Sequence, residues 1–158
     1  MTVKRRVRLA LLLLVGLWAA SIAVTSRPVN PPVLSGQDIG SDRPLPAEVR
    51  SLLRTSCFDC HSNETRWPWY ATVFPASWLV ARDVSTARGQ MNFSRWMGYN
   101  VFDRADMLDD ICSELREGKM PLRPYLWLHP AASLTDTQVE SVCAWTSREA
   151  DRLLGATE

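Results

Sequence analysis

Hydrophobic positions fall into one continuous block near the start of the chain and then into stripes at helical spacing. Leu9 to Val24 is an unbroken run of 16 apolar or small residues, preceded by Lys4, Arg5, Arg6 and Arg8. That length lies between the apolar core of a signal peptide and a full membrane span. With the positive cluster held inside, either reading exports the remainder of the chain. Ser21-Ile22-Ala23 offers a small-x-small cleavage site, but the run continues into Val24 without a polar segment, which favours an uncleaved anchor.

From Thr25 to Leu45 the composition turns to Pro, Ser, Gly and Asp, with Pro28, Pro31, Pro32 and Pro44. This reads as a tether of 21 residues that, if polyproline-like, would reach roughly 65 Å. Helical stripes resume at Pro46, which fits a first-turn position, with Val49, Leu52 and Leu53 recurring up to Cys57. A second helix is predicted from Pro75 to near Gly89, with Leu79, Val80, Val84 and Ala87 inward. A third spans about Asp103 to Glu117, carrying Met107, Leu108, Ile111, Cys112 and Leu115 on one stripe, with Asp103 as cap and Gly118 as stop. The last opens with the capping box Thr135-x-x-Gln138 and buries Val139, Val142, Cys143 and Leu153. Between them, Ser62 to Tyr70 reads as an irregular loop, and Asn92, Phe93 and Trp96 as a loop closing over something apolar. The organisation expected is therefore residues 1–24 as signal anchor or signal peptide, 25–45 as a Pro-rich tether and 46–158 as one all-α domain.

Composition changes this picture in one respect. The formal charge of +1 is set by the basic N-terminus; residues 25–158 carry 14 basic and 17 acidic side chains, a balance of −3 that argues against a nucleic-acid binder. Seven Trp is high for 158 residues, and those outside the N-terminal run are candidates to line a large flat cofactor or to serve as ordinary core.

The chemistry is concentrated in Cys57-Phe58-Asp59-Cys60-His61, a C-x-x-C-H that reads as the covalent attachment site of a c-type haem. Two thiols three positions apart on a helical turn can each form a thioether to a haem vinyl group, and the adjacent imidazole can ligate the iron. Two other uses of C-x-x-C fit less well. A thioredoxin-like pair needs a βαβ pattern, and no good strand periodicity lies nearby; a zinc site needs a second ligand pair at short spacing, whereas Cys112 and Cys143 are singletons. Those two cysteines fall on inward stripes and read as either a disulfide or two buried thiols.

A haem on His61 requires an account of the opposite side of the iron. Met120, in Gly118-Lys119-Met120-Pro121, sits in a proline-rich stretch irregular enough to aim a side chain inward; His129, Met91, Met97 and Met107 are the alternatives. His/Met ligation would raise the potential and favour electron transfer, whereas an open side would favour ligand binding or peroxide chemistry. Trp67, Trp69 and Tyr70 follow the motif closely enough to lie along a haem edge, Trp96 is a further aromatic that could shape and dry such a pocket, and a proline carbonyl of the Ser62 to Tyr70 loop could accept the Nδ1–H of His61.

The stretches Ser56 to Thr65 with Trp67-Pro68-Trp69-Tyr70, Pro75 to Asp83, Asn92-Phe93-Ser94, Glu117 to Pro121 and His129-Pro130 together resemble a bacterial haem-binding domain family of small, N-terminally anchored proteins with one C-x-x-C-H. In its order of elements the family is similar to class I cytochrome c. The resemblance implies a cytochrome c-like helical domain around one covalent haem c, with His61 proximal and Met120 distal to the iron. It implies a carrier of single electrons between redox partner proteins, held at the periplasmic side of a bacterial inner membrane through the N-terminal helix, or periplasmic if that helix is cleaved. The competing readings are a haem-based sensor or ligand-binding module, a small peroxidase lacking an evident distal acid-base residue, and a zinc-stabilised interaction domain.

Overall fold

The computed structural model describes residues 3–24 and 28–155, with the backbone alone for 21–24. Regular structure among these residues is entirely helical: α1 (Val3–Val24), α2 (Ala47–Ser56), α3 (Phe58–His61), α4 (Ala76–Gln90), α5 (Val101–Arg116), α6 (Arg123–Leu128) and α7 (Asp136–Gly155). Short 3-10 turns occupy Trp69–Thr72, Phe93–Gly98 and Pro130–Ala132.

The core is built where the stripes of α5 and α7 meet. Leu108, Ile111 and Leu115 bury themselves with Val142, Trp145, Ala150 and Leu153, and each large aliphatic side chain so removed from water stabilises the fold by about 1.5–3 kcal/mol. Cys112 and Cys143 are joined in a disulfide, S–S 2.04 Å, across the same two helices. The capping box forms at the start of α7: the Thr135 N–H donates to Gln138 Oε1 at 2.9 Å and the Gln138 N–H to Thr135 Oγ1 at 3.3 Å. Gly118 stops α5 as expected, with φ of +64°, a left-handed value open to glycine, while the N–H groups of Lys119 and Met120 turn back to the Glu114 carbonyl.

Several boundaries differ from the periodicity. Pro46 is the cap before α2 rather than its first residue. α5 starts two residues earlier than Asp103: Asn100 is its cap, accepting from the Asp103 N–H and donating Nδ2–H to the Asp103 carboxylate. On α4, Val84 and Ala87 are buried, but Leu79 is largely exposed and Trp78 more so, because the helix lies on the body only along part of its length. The proline-rich stretch after Met120 contains α6, a six-residue helix with Pro124 in its first turn.

The segment expected as a tether makes specific contacts with the domain. Residues 28–45 are laid along the domain: the Ile39 N–H donates to the Phe93 carbonyl at 2.9 Å, the Met97 N–H to the Gln37 carbonyl at 3.1 Å, and Ile39 and Leu45 enter the core. Asp42 takes an ion pair from Arg152 of α7 at 2.6 Å. Two apolar residues separated by Gly and Pro leave no periodic signal, and their partners are remote in sequence.

α1 is helical over 22 residues with Leu11, Leu12, Leu13, Leu14 and Leu17 exposed, and it meets the body where the Trp18 indole N–H donates to the Phe74 carbonyl at 3.3 Å. Among the described residues no helix is long and apolar enough to cross a membrane. The side chains of the Ser21-Ile22-Ala23 cleavage candidate and the first tether residues, Thr25 to Arg27, lie outside the described residues.

Candidate functional site

α2 delivers its C-terminus to the cysteine motif. Cys57 has φ −124° and ψ −37°, breaking the helix between Ser56 and Phe58, and its carbonyl accepts from the N–H groups of Cys60 at 3.1 Å and His61 at 2.9 Å. The two thiols and the imidazole are thereby wound onto one turn. Phe58 points the other way, into the core, 5.2 Å from the Phe93 ring and under the Arg54 guanidinium at 4.8 Å. Burying Phe58 fixes the rotation of the turn and leaves Cys57, Cys60 and His61 half-buried.

His61 Nδ1 lies 3.1 Å from the Met91 carbonyl oxygen, and its ring 6.0 Å from that of Phe93. The orienting carbonyl is thus the one at the end of α4 and not a proline of the aromatic loop. Burial holds the His61 pKa below its ordinary value, against the opposing pull of the Met91 and Ala87 carbonyls. A neutral imidazole that donates through Nδ1 keeps its lone pair on Nε2.

Burial pushes the Cys57 thiol up to about 12, with the neighbouring Cys60 adding to it, and the Cys60 thiol up to about 11, with Asp59 and Asp83 adding to it. A dithiol redox centre works through a thiolate, which this environment disfavours. Among the described residues no three His, Cys, Asp or Glu side chains are grouped to hold a metal ion. The donor set does fit a haem: two protonated thiols one turn apart, and beside them a neutral imidazole whose ring is oriented through its other nitrogen.

Asp59, between the cysteines, is a hub that the motif alone does not reveal. Its carboxylate accepts from the Tyr125 hydroxyl at 3.0 Å and from the backbone N–H and guanidinium of Arg66 at 3.1 and 3.3 Å, and its carbonyl from Thr65 Oγ1 at 2.7 Å. Behind the motif a buried polar network ties three segments together. The Asn63 N–H donates to Ser94 Oγ at 3.0 Å, Asn92 Nδ2–H to Asn63 Oδ1 at 2.9 Å, and Asn63 Nδ2–H to the Pro32 carbonyl at 2.9 Å. Arg88 donates to the Ser62 carbonyl, Thr65 Oγ1 and Asn30 Oδ1, each at 2.8 Å. Polar side chains this deeply buried persist only when satisfied, so the network locks the chain on both sides of His61.

The remaining sequence candidates are scattered around this centre. Trp67 donates its indole N–H to Asn30 Oδ1 at 3.0 Å and lies near the Arg88 guanidinium, so it is engaged with the N-terminal segment. Trp69 is 78% exposed and edge-on to Tyr70. Tyr70 is half-buried, its phenol raised chiefly by burial, and its ring meets that of His129 edge-on with centroids 6.1 Å apart. Trp96 is buried in the core against Phe93 and Tyr99. Met120 is half-buried against the same core, its peptide bond to Pro121 cis. His129 stacks on Tyr125 with centroids 4.1 Å apart, and its Nδ1 lies 3.1 Å from the Tyr125 carbonyl.

The residues missed from the sequence are Asp59 as hub, Arg88, Asn30, Asn63 and Tyr125, while Asn92 was read only as part of a closing loop. The polar runs after His61 and around Asn92 were the signal for Asn63 and for the role of Asn92, since such residues inside apolar surroundings imply buried hydrogen bonding.

A model of a family described as a haem-binding domain matches residues 15–148. No curated protein and no solved structure matches the chain.

Proposed function

The chain belongs to the haem-binding domain family, and from that premise we propose that it is a mono-haem c-type protein carrying single electrons between redox partners on the outer side of a bacterial inner membrane. The observation that carries the covalent reading is the turn Cys57–His61, with both thiols on it and His61 Nδ1 at 3.1 Å from the Met91 carbonyl. Bound there, haem supplies a one-electron couple between ferrous and ferric iron.

The chain's own residues would do the rest. Cys57 and Cys60 would hold the porphyrin through thioethers. His61 offers Nε2 as a tautomer held by Met91. Met120 is the residue assigned to the distal position, on a segment closed at its start by the Met120 N–H to the Glu114 carbonyl at 3.2 Å. Trp69, Phe74, Trp78 and Leu79, and Leu122, Trp127 and Leu128, are exposed apolar side chains. The aromatics Trp67, Trp69, Tyr70 and Trp96 are assigned to shape and dry the haem environment. The basic N-terminus and apolar α1 support export and retention at the membrane, where c-type attachment and the Cys112–Cys143 disulfide are both chemically at home.

The test is mass spectrometry and a pyridine haemochrome spectrum of the exported chain. A mass increase of one haem, with the spectrum of a haem saturated at both vinyl groups, is expected. Cys57→Ser with Cys60→Ser should lose both signals, and a wild-type polypeptide without added porphyrin mass would overturn covalent attachment. Against a sensor or ligand-binding module, the reduced protein should bind carbon monoxide slowly, since a ligand-binding module would take it up rapidly.

A further inference from the structure

α6 has no buried residue among Arg123–Leu128, so apolar packing alone does not fix it to the body of the protein. Its backbone hydrogen bonds are local, to Leu122 at its start and from His129 at its end. Among the described residues, the long-range hydrogen bond made by an α6 side chain is that of the Tyr125 hydroxyl to Asp59 Oδ2 at 3.0 Å, spanning 66 positions. Its acceptor lies between the two cysteines of the attachment motif.

Both ends of this bond are independently held. Arg66 and Thr65 fix Asp59 from the following loop. The Tyr125 ring lies on the His129 imidazole at 4.1 Å and 11°, and the Tyr125 carbonyl is 3.1 Å from His129 Nδ1, so the phenol cannot swing away without unstacking. At its other end the segment leaves α5 through Gly118 and the Met120 N–H to the Glu114 carbonyl. Residues 119–130 therefore form a span pinned to α5 just before Met120 and to the haem motif five residues after it.

We infer that Tyr125 is a positioning residue, fastening α6 to the haem-attachment turn through Asp59 and so governing where the Met120 segment can rest. The assignment deepens the electron-carrier reading and, for its effect on the iron, rests on it. A charge-assisted bond with both partners immobilised is the stronger kind, and its loss leaves the α6 side chains without a long-range hydrogen bond.

The experiment uses the full haem-loaded chain. Tyr125→Phe keeps the ring and its stack and removes only the donor. Amide exchange in residues 123–128 is expected to accelerate about tenfold. The sulfur-to-iron charge-transfer band should weaken, and the midpoint potential should fall as sulfur ligation is lost. Asp59→Asn, which keeps an acceptor for the Tyr125 hydroxyl but loses the charge, should fall between the parent and Tyr125→Phe in all three readouts, and Asp59→Ala, which also removes the Arg66 contacts, should show at least the effect of Tyr125→Phe. Combining Tyr125→Phe with Asp59→Ala should add little to Asp59→Ala alone, since the Tyr125 bond is already deleted there. Parent-like exchange in α6 of Tyr125→Phe, or additive effects in the double variant, would overturn the inference. If Asp59→Ala does not mature, exchange in Tyr125→Phe decides alone. A parent chain without the charge-transfer band would remove Met120 from the iron, while the exchange measurement still judges the fastening.

Discussion

His61 Nδ1 and the Met91 carbonyl oxygen are 3.1 Å apart, joining the last residue of the cysteine motif to the residue that ends α4. The carbonyl can only accept, so the proton belongs on Nδ1 and the lone pair on Nε2, the nitrogen an iron would use. Rigid placement of this imidazole thus depends on a helix end 30 residues away.

Because burial holds His61 neutral, folding of the haem-free chain should be linked to acid. The unfolded imidazole takes a proton near 6.5 while the folded one resists it, so this contribution is complete above pH 6.5 and is lost as pH falls below it. The thiols act at the other end of the scale: they ionise near 9.0 when unfolded but only near 12 and 11 when folded. Their contribution is complete below pH 9.0 and is lost as pH rises towards those values. Urea midpoints of the anaerobic haem-free chain against pH should show both limbs. The alkaline limb should shrink in Cys57→Ser with Cys60→Ser, and in the haem-loaded chain, where thioethers do not titrate.

Asn30 accepts from Trp67 and Arg88 and donates to the Thr65 carbonyl at 2.8 Å. Asn30→Ala strands two donors and one acceptor and should lower stability by about 1–3 kcal/mol, with proteolytic clipping appearing in residues 28–36. Equal urea midpoints for variant and parent would return this segment to the status of a free tether.

The Cys112–Cys143 disulfide closes a loop across 31 positions. Replacing both cysteines with Ala should cost about 3–4 kcal/mol on the chain-entropy model, without loss of covalent haem. Thiol titration of the denatured haem-loaded parent should find no free thiol before reduction and two after it.

Met120→Ala is expected to abolish the sulfur-to-iron band, lower the midpoint potential and make the reduced protein bind carbon monoxide readily. A high-spin ferric spectrum in the parent, or an unchanged band in the variant, would take Met120 out of the coordination sphere and turn attention to His129.

Much of the helical scaffold was legible because its signals are local. Thr135 and Gln138 are three residues apart and cap α7 through their own backbone; Gly118 ends α5 by its own φ. Leu79 illustrates the limit: periodicity marks an apolar face, yet that residue is 42% exposed, since which part of α4 is covered depends on what packs there. Asn100 took the cap from Asp103 because both side chains can serve, and only the path entering the helix selects between them.

The order of residues alone carried the proposed attachment chemistry and determined the all-helical class, because two thiols and an imidazole within five positions, and apolar stripes at helical spacing, need no distant partner to be recognised. Only the folded chain decided that Met91 orients His61, that Asn30 fastens residues 28–45 to the loop after the motif, that Cys112 meets Cys143, and that Tyr125 reaches Asp59. Each of these joins residues from 30 to 66 positions apart. Such pairs are brought together by burial of the core, a non-directional force that leaves no mark at either position until the whole surface has been removed from water.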